Sequence, residues 1–389
     1  MLSYSRPFDR GYLVNWGLEI EIWKHVFGSE HLNIHPSGQS LVVTEAPFTP
    51  ESLRQDMNEV IFEEFGFERY SRKSSSLFSA YEFSHTAPAE TCFPKCCTII
   101  DSGFSFTHIT PIINGIYQPA ACKRINVGGK LLTNYLKETI RLSRSVFYFY
   151  YVSLCNIIII FLYSYRQWNM MDEFKLIDQV KEELCYVSLD FVREMNVVTE
   201  NNAPIAPGTT LARLEKKSRR VNTIKKYFVL PDFQNINRGF VKPEGVALQK
   251  HEQVLTMETE RFSVPEILFN PSDIGIEQAG IPEAVCQSLE NLSQVEAALV
   301  FQNIILTGGN VKFPQFKERL TESIRPFLPD DIEVTVHLSD DPINMAWKGA
   351  SRFAQTTIAN GTFSAFSVSK AEYEEYGHEI CNKRFAEPF

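Results

Sequence analysis

The stretch CTIIDSGFSFTH, residues 97–108, organises the interpretation of the whole chain. An apolar, β-branched run leads into DSG at 101–103, and apolar residues then alternate as far as Ile109. This pattern predicts a strand, a tight turn and a second strand. Gly103 can adopt a positive φ and let backbone N–H groups approach an anion, and Asp101 is placed to hold Mg²⁺ through water. Because Asp-Ser-Gly turns are common, the stretch by itself favours an ordinary hairpin over a phosphate-binding one.

A second stretch shifts that balance towards phosphate binding. Residues 304–310 read IILTGGN, and residues 313–324 then predict a helix with Phe316, Leu320 and Ile324 on one face. A strand, a glycine-rich turn and a helix together form a favourable anion site. Two such turns in one chain indicate a nucleotide held between two lobes.

With these motifs the chain resembles the actin family. Residues 101–108 resemble the second phosphate hairpin of actins, residues 306–313 the adenosine loop, and KEELCYV at 181–187 the helix whose Lys and Glu touch the nucleotide. The resemblance implies an α/β, two-lobed fold of the actin, hexokinase and heat-shock ATPase type, and ATP or ADP with Mg²⁺ as cofactor. The nucleotide-binding residues that it implies are Asp101 (also the metal ligand), Ser102, Gly103, Lys181, Glu182, Gly308, Gly309, Asn310 and Phe313.

Further phrases narrow the resemblance to nuclear members of the family: GYLVNW at 11–16, RINVGGKLLTN at 124–134 and FNPSDIGI at 269–276. This implies a structural subunit of a chromatin-remodelling complex that exchanges a variant core histone. The implied partners are the remodelling ATPase and a zinc-finger HIT-domain subunit, with histones or the nucleosome contacted indirectly. We therefore expect a nuclear protein, also present in the cytoplasm, with no stable membrane association.

Three departures from the family pattern bear on catalysis. The first phosphate hairpin has no counterpart ahead of residue 11, so we expect either a gene model that begins at an internal Met or a truncated isoform, with half of the phosphate clamp absent. Ser74 stands near the place of the glutamine that orients the attacking water, and Ile343 near that of the lysine that stacks on adenine. Since hydrolysis needs that water oriented, we expect no enzymatic activity. The alternative is an actin-like protein that polymerises and hydrolyses ATP.

For His108, which lies beside the phosphate hairpin, we expect a structural hydrogen bond rather than a role as a catalytic base.

The resemblance also predicts how the lobes interleave along the chain. Residues 1–91 are expected to form part of lobe one, residues 92–345 lobe two, and residues 346–389 a return to lobe one. Two insertions interrupt lobe two. The loop 196–226 is rich in Lys and Arg and is either a solvated basic loop or a nuclear-import or nucleic-acid contact.

The second insertion is a nearly continuous apolar run at 146–163. Its length is at the lower end for a transmembrane helix, about 17–25 residues. We favour a retained intron over 141–163 instead, because the composition suits AT-rich codons and joining Ile140 to Ser164 restores the run that the resemblance implies; a membrane span is the alternative.

Composition narrows the classes of function. The chain of 389 residues is 44% hydrophobic and 22% charged, which is typical of a globular protein. Its formal net charge of −9 argues against non-specific DNA binding by the whole surface. Of the eight cysteines, only those at 92, 96 and 97 cluster, and no second cluster follows at a zinc spacing. We therefore predict no zinc site.

Overall fold

The computed structural model describes residues 5–86, 96–151, 173–202, 223–232, 236–247, 249, 252–290 and 292–386. Its contacts divide the chain into two units. Unit 1 comprises Met1–Asn126, Glu283–Val311 and Ile324–Phe389, and unit 2 comprises Val127–Pro282 and Lys312–Ser323. The division differs from the predicted lobes, because residues 96–126 and much of 283–345 belong to the same unit as the N- and C-terminal segments.

The strands of unit 1 are β1 (Phe8–Asp9), β2 (Tyr12–Leu13), β3 (Ser40–Glu45), β4 (Arg69–Ser74), β5 (Cys96–Ser102), β6 (Thr107–Ile113), β7 (Ile116–Tyr117), β8 (Lys123–Ile125), β12 (Ile304–Thr307), β13 (Val336–Leu338) and β14 (Val368–Ser369). The helices within this unit are α1 (Trp16–Phe27), α2 (Glu51–Glu59, continued by a π-helix at Val60–Phe65), α3 (Ser75–Thr86), α9 (Gln294–Phe301), α11 (Met345–Ala359), α12 (Phe363–Phe366), α13 (Lys370–Tyr376) and α14 (His378–Phe385).

Two sheets form the framework of unit 1. The smaller has the order β14-β4-β3, with β3 and β4 parallel and β14 antiparallel to β4. The larger has the order β13-β12-β5-β6-β7, with β8 also paired to β6. In this sheet β12 runs parallel to both β5 and β13, whereas β5 and β6 form an antiparallel hairpin.

Helix α3 packs against both sheets. Ala80 joins a buried cluster with Ile99 and Ile305 of the larger sheet, while Phe78 packs with Phe353 of α11 and with β3. The close crossing of α3 and α11 requires Gly349, because a Cβ there would lie within 3.0 Å of the Phe78 carbonyl. These contacts pack α3 closely against α11 and the larger sheet.

Unit 2 contains α4 (Gly129–Tyr151), α5 (Phe174–Leu184), α6 (Phe191–Asn202), α7 (Glu260–Glu266) and α10 (Phe316–Ile324); α8 (Ile281–Leu289) runs across the division between the units. Its three-stranded sheet has the order β10 (Phe240–Val241), β9 (Lys226–Val229) and β11 (Val254–Met257), all antiparallel. Arg319 of α10 forms an ion pair with the buried Glu266 of α7 at 2.9 Å. Gly129 begins α4, so the Gly-Gly pair at 128–129 marks a helix start.

The two predicted insertions fall mainly outside the described residues. Residues 152–172 carry most of the apolar run, and residues 203–222 carry most of the basic loop. In the part of the chain that the structure describes, no helix combines the length and apolar character needed to cross a membrane.

Candidate functional site

The structure brings the two glycine-rich turns of unit 1 together. Because β5 and β12 are parallel neighbours, with Thr307 opposite Asp101, both strands end at the same edge of the sheet. Asn310 then donates from Nδ2 to the Ser102 hydroxyl at 3.1 Å and to the Gly103 carbonyl at 2.9 Å. The six predicted residues 101–103 and 308–310 therefore form one contiguous group.

The glycine that the close approach requires is Gly308. It has a φ of +95°, and a Cβ there would lie within 3.0 Å of the Ser102 carbonyl. Gly103 does not use the positive φ that is open to a glycine, because the hairpin closes by a wider turn, with the Gly103 N–H donating to the Phe106 carbonyl at 3.0 Å. A Cβ at Gly309 would meet no atom within 4 Å, so this side of the turn faces open space.

Asp101 is the half-buried acid at the centre of this group. Burial raises the pKa of its carboxyl group to about 6, and a hydrogen bond from Ser75 opposes the rise. A carboxylate in this setting is short of compensating positive charge. Arg6 lies close to the hairpin, its guanidinium carbon 4.7 Å from the centre of the Phe104 ring at the turn.

Three serines at the start of α3 connect this helix to the group. Ser74 accepts a hydrogen bond from the Ser76 N–H at 3.3 Å, Ser75 bonds to Asp101, and Ser76 donates to Thr110 of β6 at 3.1 Å. The hydroxyl of Ser74 therefore caps α3. Sequence reasoning singles out Ser74 and not Ser75; three serines after a strand are the signal of a helix start that identifies Ser75.

His108 lies opposite Asp101 in the β5–β6 pairing and is buried. Burial and the charge of Arg124 lower the pKa of its imidazole to about 4, so the ring is neutral at physiological pH. The expected structural hydrogen bond is not seen at Nε2, which has no partner among the residues that the structure describes. The ring instead packs between Phe48 and Phe106, at centroid distances of 6.2 and 5.9 Å.

The remaining predicted residues belong to unit 2. Lys181 is buried, and its ammonium donates to Asp178 at 2.6 Å, to Thr133 at 2.9 Å and to the Gly129 carbonyl at 3.4 Å. Its donors are thus committed to α4 and to its own helix. Glu182 is exposed, whereas Phe313 is buried just before α10.

The residues beside the turns fit a magnesium-bound phosphate in part. Asp101 offers the carboxylate oxygen that Mg²⁺ prefers, and a cation would offset the cost of burying that charge. The open side of Gly309 leaves room for a ligand. In contrast, Ile343 stands at the position where a lysine is expected. It directly follows Pro342, whose carbonyl accepts from the Gly308 N–H at 3.1 Å. The apolar side chain of Ile343 is 57% exposed.

Two neighbouring turns that follow parallel strands of a mixed sheet are typical of proteins of the actin class. Comparison with known families gives the same assignment. Residues 1–386 match the family described as Actin, so the chain belongs to the actin family and has its mixed α/β fold.

Among curated proteins, the chain is similar to Actin-related protein 6 of Arabidopsis thaliana, with 36% identity over 98% of this chain and 86% of that protein. It is likewise similar to Actin-related protein 6 of Drosophila melanogaster, with 33% identity over 98% and 86% of the two chains. The protein of that name in Dictyostelium discoideum is 31% identical over 97% of this chain and 82% of its own.

Proposed function

We propose that this chain is a nuclear actin-related protein that serves as a structural subunit of a chromatin-remodelling complex exchanging a variant core histone. Its similarity to proteins named Actin-related protein 6 supports this assignment. The direct partners in this proposal are the remodelling ATPase and a zinc-finger HIT-domain subunit, and contact with histones is indirect.

The observation that carries the proposal is the use of Ser74. A glutamine amide offers a donor and an acceptor at the end of a long side chain, whereas the Ser74 hydroxyl is short and accepts from the Ser76 N–H of its own helix. The commitment of Lys181 to Asp178 and Thr133 supports the same view. In this proposal ATP or ADP with Mg²⁺, if bound at Asp101, stabilises the folded body by mass action and is not turned over.

Affinity capture from nuclear extract, followed by tryptic mass spectrometry, tests the proposal. Remodelling-complex subunits are expected to co-purify with the chain, and the peptide 145–166 reports whether the apolar insertion is present in the captured form. A matched capture with residues 141–163 deleted serves as the comparison.

Three results would change the proposal. Co-purification only with the form joining Ile140 to Ser164 would assign the docking function to that shorter form. Failure of both forms to recover remodelling subunits would refute docking. Recovery from membranes by detergent and not by salt would favour an anchor at 146–163.

A further inference from the structure

Two histidines of unit 1, outside the candidate nucleotide site, point at each other. His25 lies in the last turn of α1 and His31 in the loop that follows. Their Nε2 atoms are 2.7 Å apart, the ring centroids are 4.3 Å apart, and the ring planes meet at 82°. Both residues are exposed, so the space around the two nitrogens is open to solvent.

The backbone holds this pair in place before any ligand arrives. After α1 ends at Gly28, the chain folds back onto the helix: the Leu32 N–H donates to the Val26 carbonyl at 3.1 Å, and the Ile34 N–H to the Phe27 carbonyl at 2.9 Å. The Gly28 carbonyl accepts from His31 at 3.1 Å. Such a frame lowers the entropy cost of presenting two imidazoles to one ion.

We propose that His25 and His31 form a two-histidine binding site for a divalent late transition-metal ion, Cu²⁺ or Ni²⁺. The contact between the rings has one Nε2 bearing a proton and the other bearing a lone pair. When the ion binds, the protonated ring shifts to its Nδ1 tautomer, and both Nε2 lone pairs point to the metal.

The separation of the two nitrogens discriminates between metals. With metal–nitrogen bonds of about 2.0–2.1 Å, two neighbouring ligands of a square-planar ion lie about 2.9 Å apart, whereas tetrahedral ligands lie about 3.4 Å apart. The observed 2.7 Å needs only a small opening to fit the square-planar case. Cu²⁺ and Ni²⁺ take such tetragonal nitrogen sites, and tetrahedral Zn²⁺ is expected to bind more weakly. The described residues hold no set of three or more metal-ligating side chains, so water completes the coordination.

Titration of the full chain, produced without a polyhistidine tag, with Ni²⁺ or Cu²⁺ tests the site. Calorimetry is expected to show one equivalent bound, and the low-temperature electron paramagnetic resonance spectrum of the Cu²⁺ form is expected to show two equatorial nitrogens. His31→Ala and, separately, His25→Ala should each weaken binding about tenfold or more, because a second tethered ligand acts at high effective concentration.

His35→Ala is the matched control, since His35 is an exposed histidine in the same loop and makes no such contact with His25. It should bind the ion like the unmodified chain. Circular dichroism of each variant checks that the fold is kept. Equal affinity in the His31 and His35 variants, a single coordinating nitrogen, or tighter binding of Zn²⁺ than of Cu²⁺ would overturn the proposal.

Discussion

Replacement of Gly308 by alanine tests the junction of the two turns. The residue has a φ of +95°, which costs an L residue about 1–3 kcal/mol. The added Cβ would also lie within 3.0 Å of the Ser102 backbone carbonyl, and relief of such an overlap costs a further 1–3 kcal/mol or so. We therefore expect the Gly308→Ala substitution to lower the free energy of unfolding by about 3 kcal/mol or more.

Gly309→Ala is the control, because its Cβ meets nothing within 4 Å and its φ lies outside the left-handed region. That change should be neutral or stabilise by up to about 1 kcal/mol. Urea unfolding followed by circular dichroism measures both variants, and hydrogen exchange of peptides from 96–113 shows whether the damage is local to the β5–β6 hairpin. Equal stability of the two variants would refute the close approach of the turns.

Three further predictions concern buried polar groups. Folding raises the pKa of Asp101 from 3.8 to about 6, so the contribution of this carboxyl group to stability is most favourable below pH 3.8 and is lost as the pH rises towards 6. Asp101→Asn should therefore stabilise the ligand-free protein by up to about 3 kcal/mol at pH 7.5 and by little at pH 4. Urea unfolding at both pH values measures the difference. Folding lowers the pKa of His108 from 6.5 to about 4, so the contribution of this imidazole to stability is present above pH 6.5 and is lost as the pH falls towards 4. His108→Gln should flatten the acid side of the curve of unfolding free energy against pH. An unchanged curve would show that another group is responsible. Asp178→Asn removes the charge that pairs with the buried Lys181 and should lower the free energy of unfolding by about 3 kcal/mol. In a double-mutant cycle with Lys181→Met, additive effects on that free energy would contradict the ion pair between the two residues.

The sequence predicted the neighbourhood of the two turns better than their local geometry. The apolar strands at 97–100 and 304–306 pair in parallel, and this brings Asp101 next to Gly308. What local sequence could not show is which glycine carries the steric constraint. That depends on the Ser102 carbonyl, which comes from a segment about 200 residues away in the chain.

The serine-rich stretch shows a second limit. Residues 69–79 have the polar composition of a loop, yet they form β4 and the start of α3, with Ser71, Arg72 and Ser76 buried. Several of their polar groups have partners distant in sequence: Ser76 donates to Thr110, and Arg72 donates to Asn58 and forms an ion pair with Glu45. Tertiary hydrogen bonds thus override a local polar pattern.

The C-terminal region shows where helix periodicity is informative and where it is not. Residues 371–385 contain two helices, α13 and α14, which are separated by Gly377, whose φ is +63°. Glycine with a positive φ ends the first helix, and periodicity alone does not register that break.

Single-turnover hydrolysis of ATP tests most directly whether the chain is a docking body or a hydrolysing enzyme. The purified chain, in excess over radiolabelled ATP with Mg²⁺, is compared with its Asp101→Asn and Ser74→Gln variants. Because Ser74 lacks the long amide side chain of a glutamine and its hydroxyl accepts from the Ser76 N–H, no phosphate release above the uncatalysed rate is expected from the unmodified chain. Phosphate release that disappears in the Asp101→Asn variant would contradict this conclusion and would favour the polymerising, ATP-hydrolysing alternative.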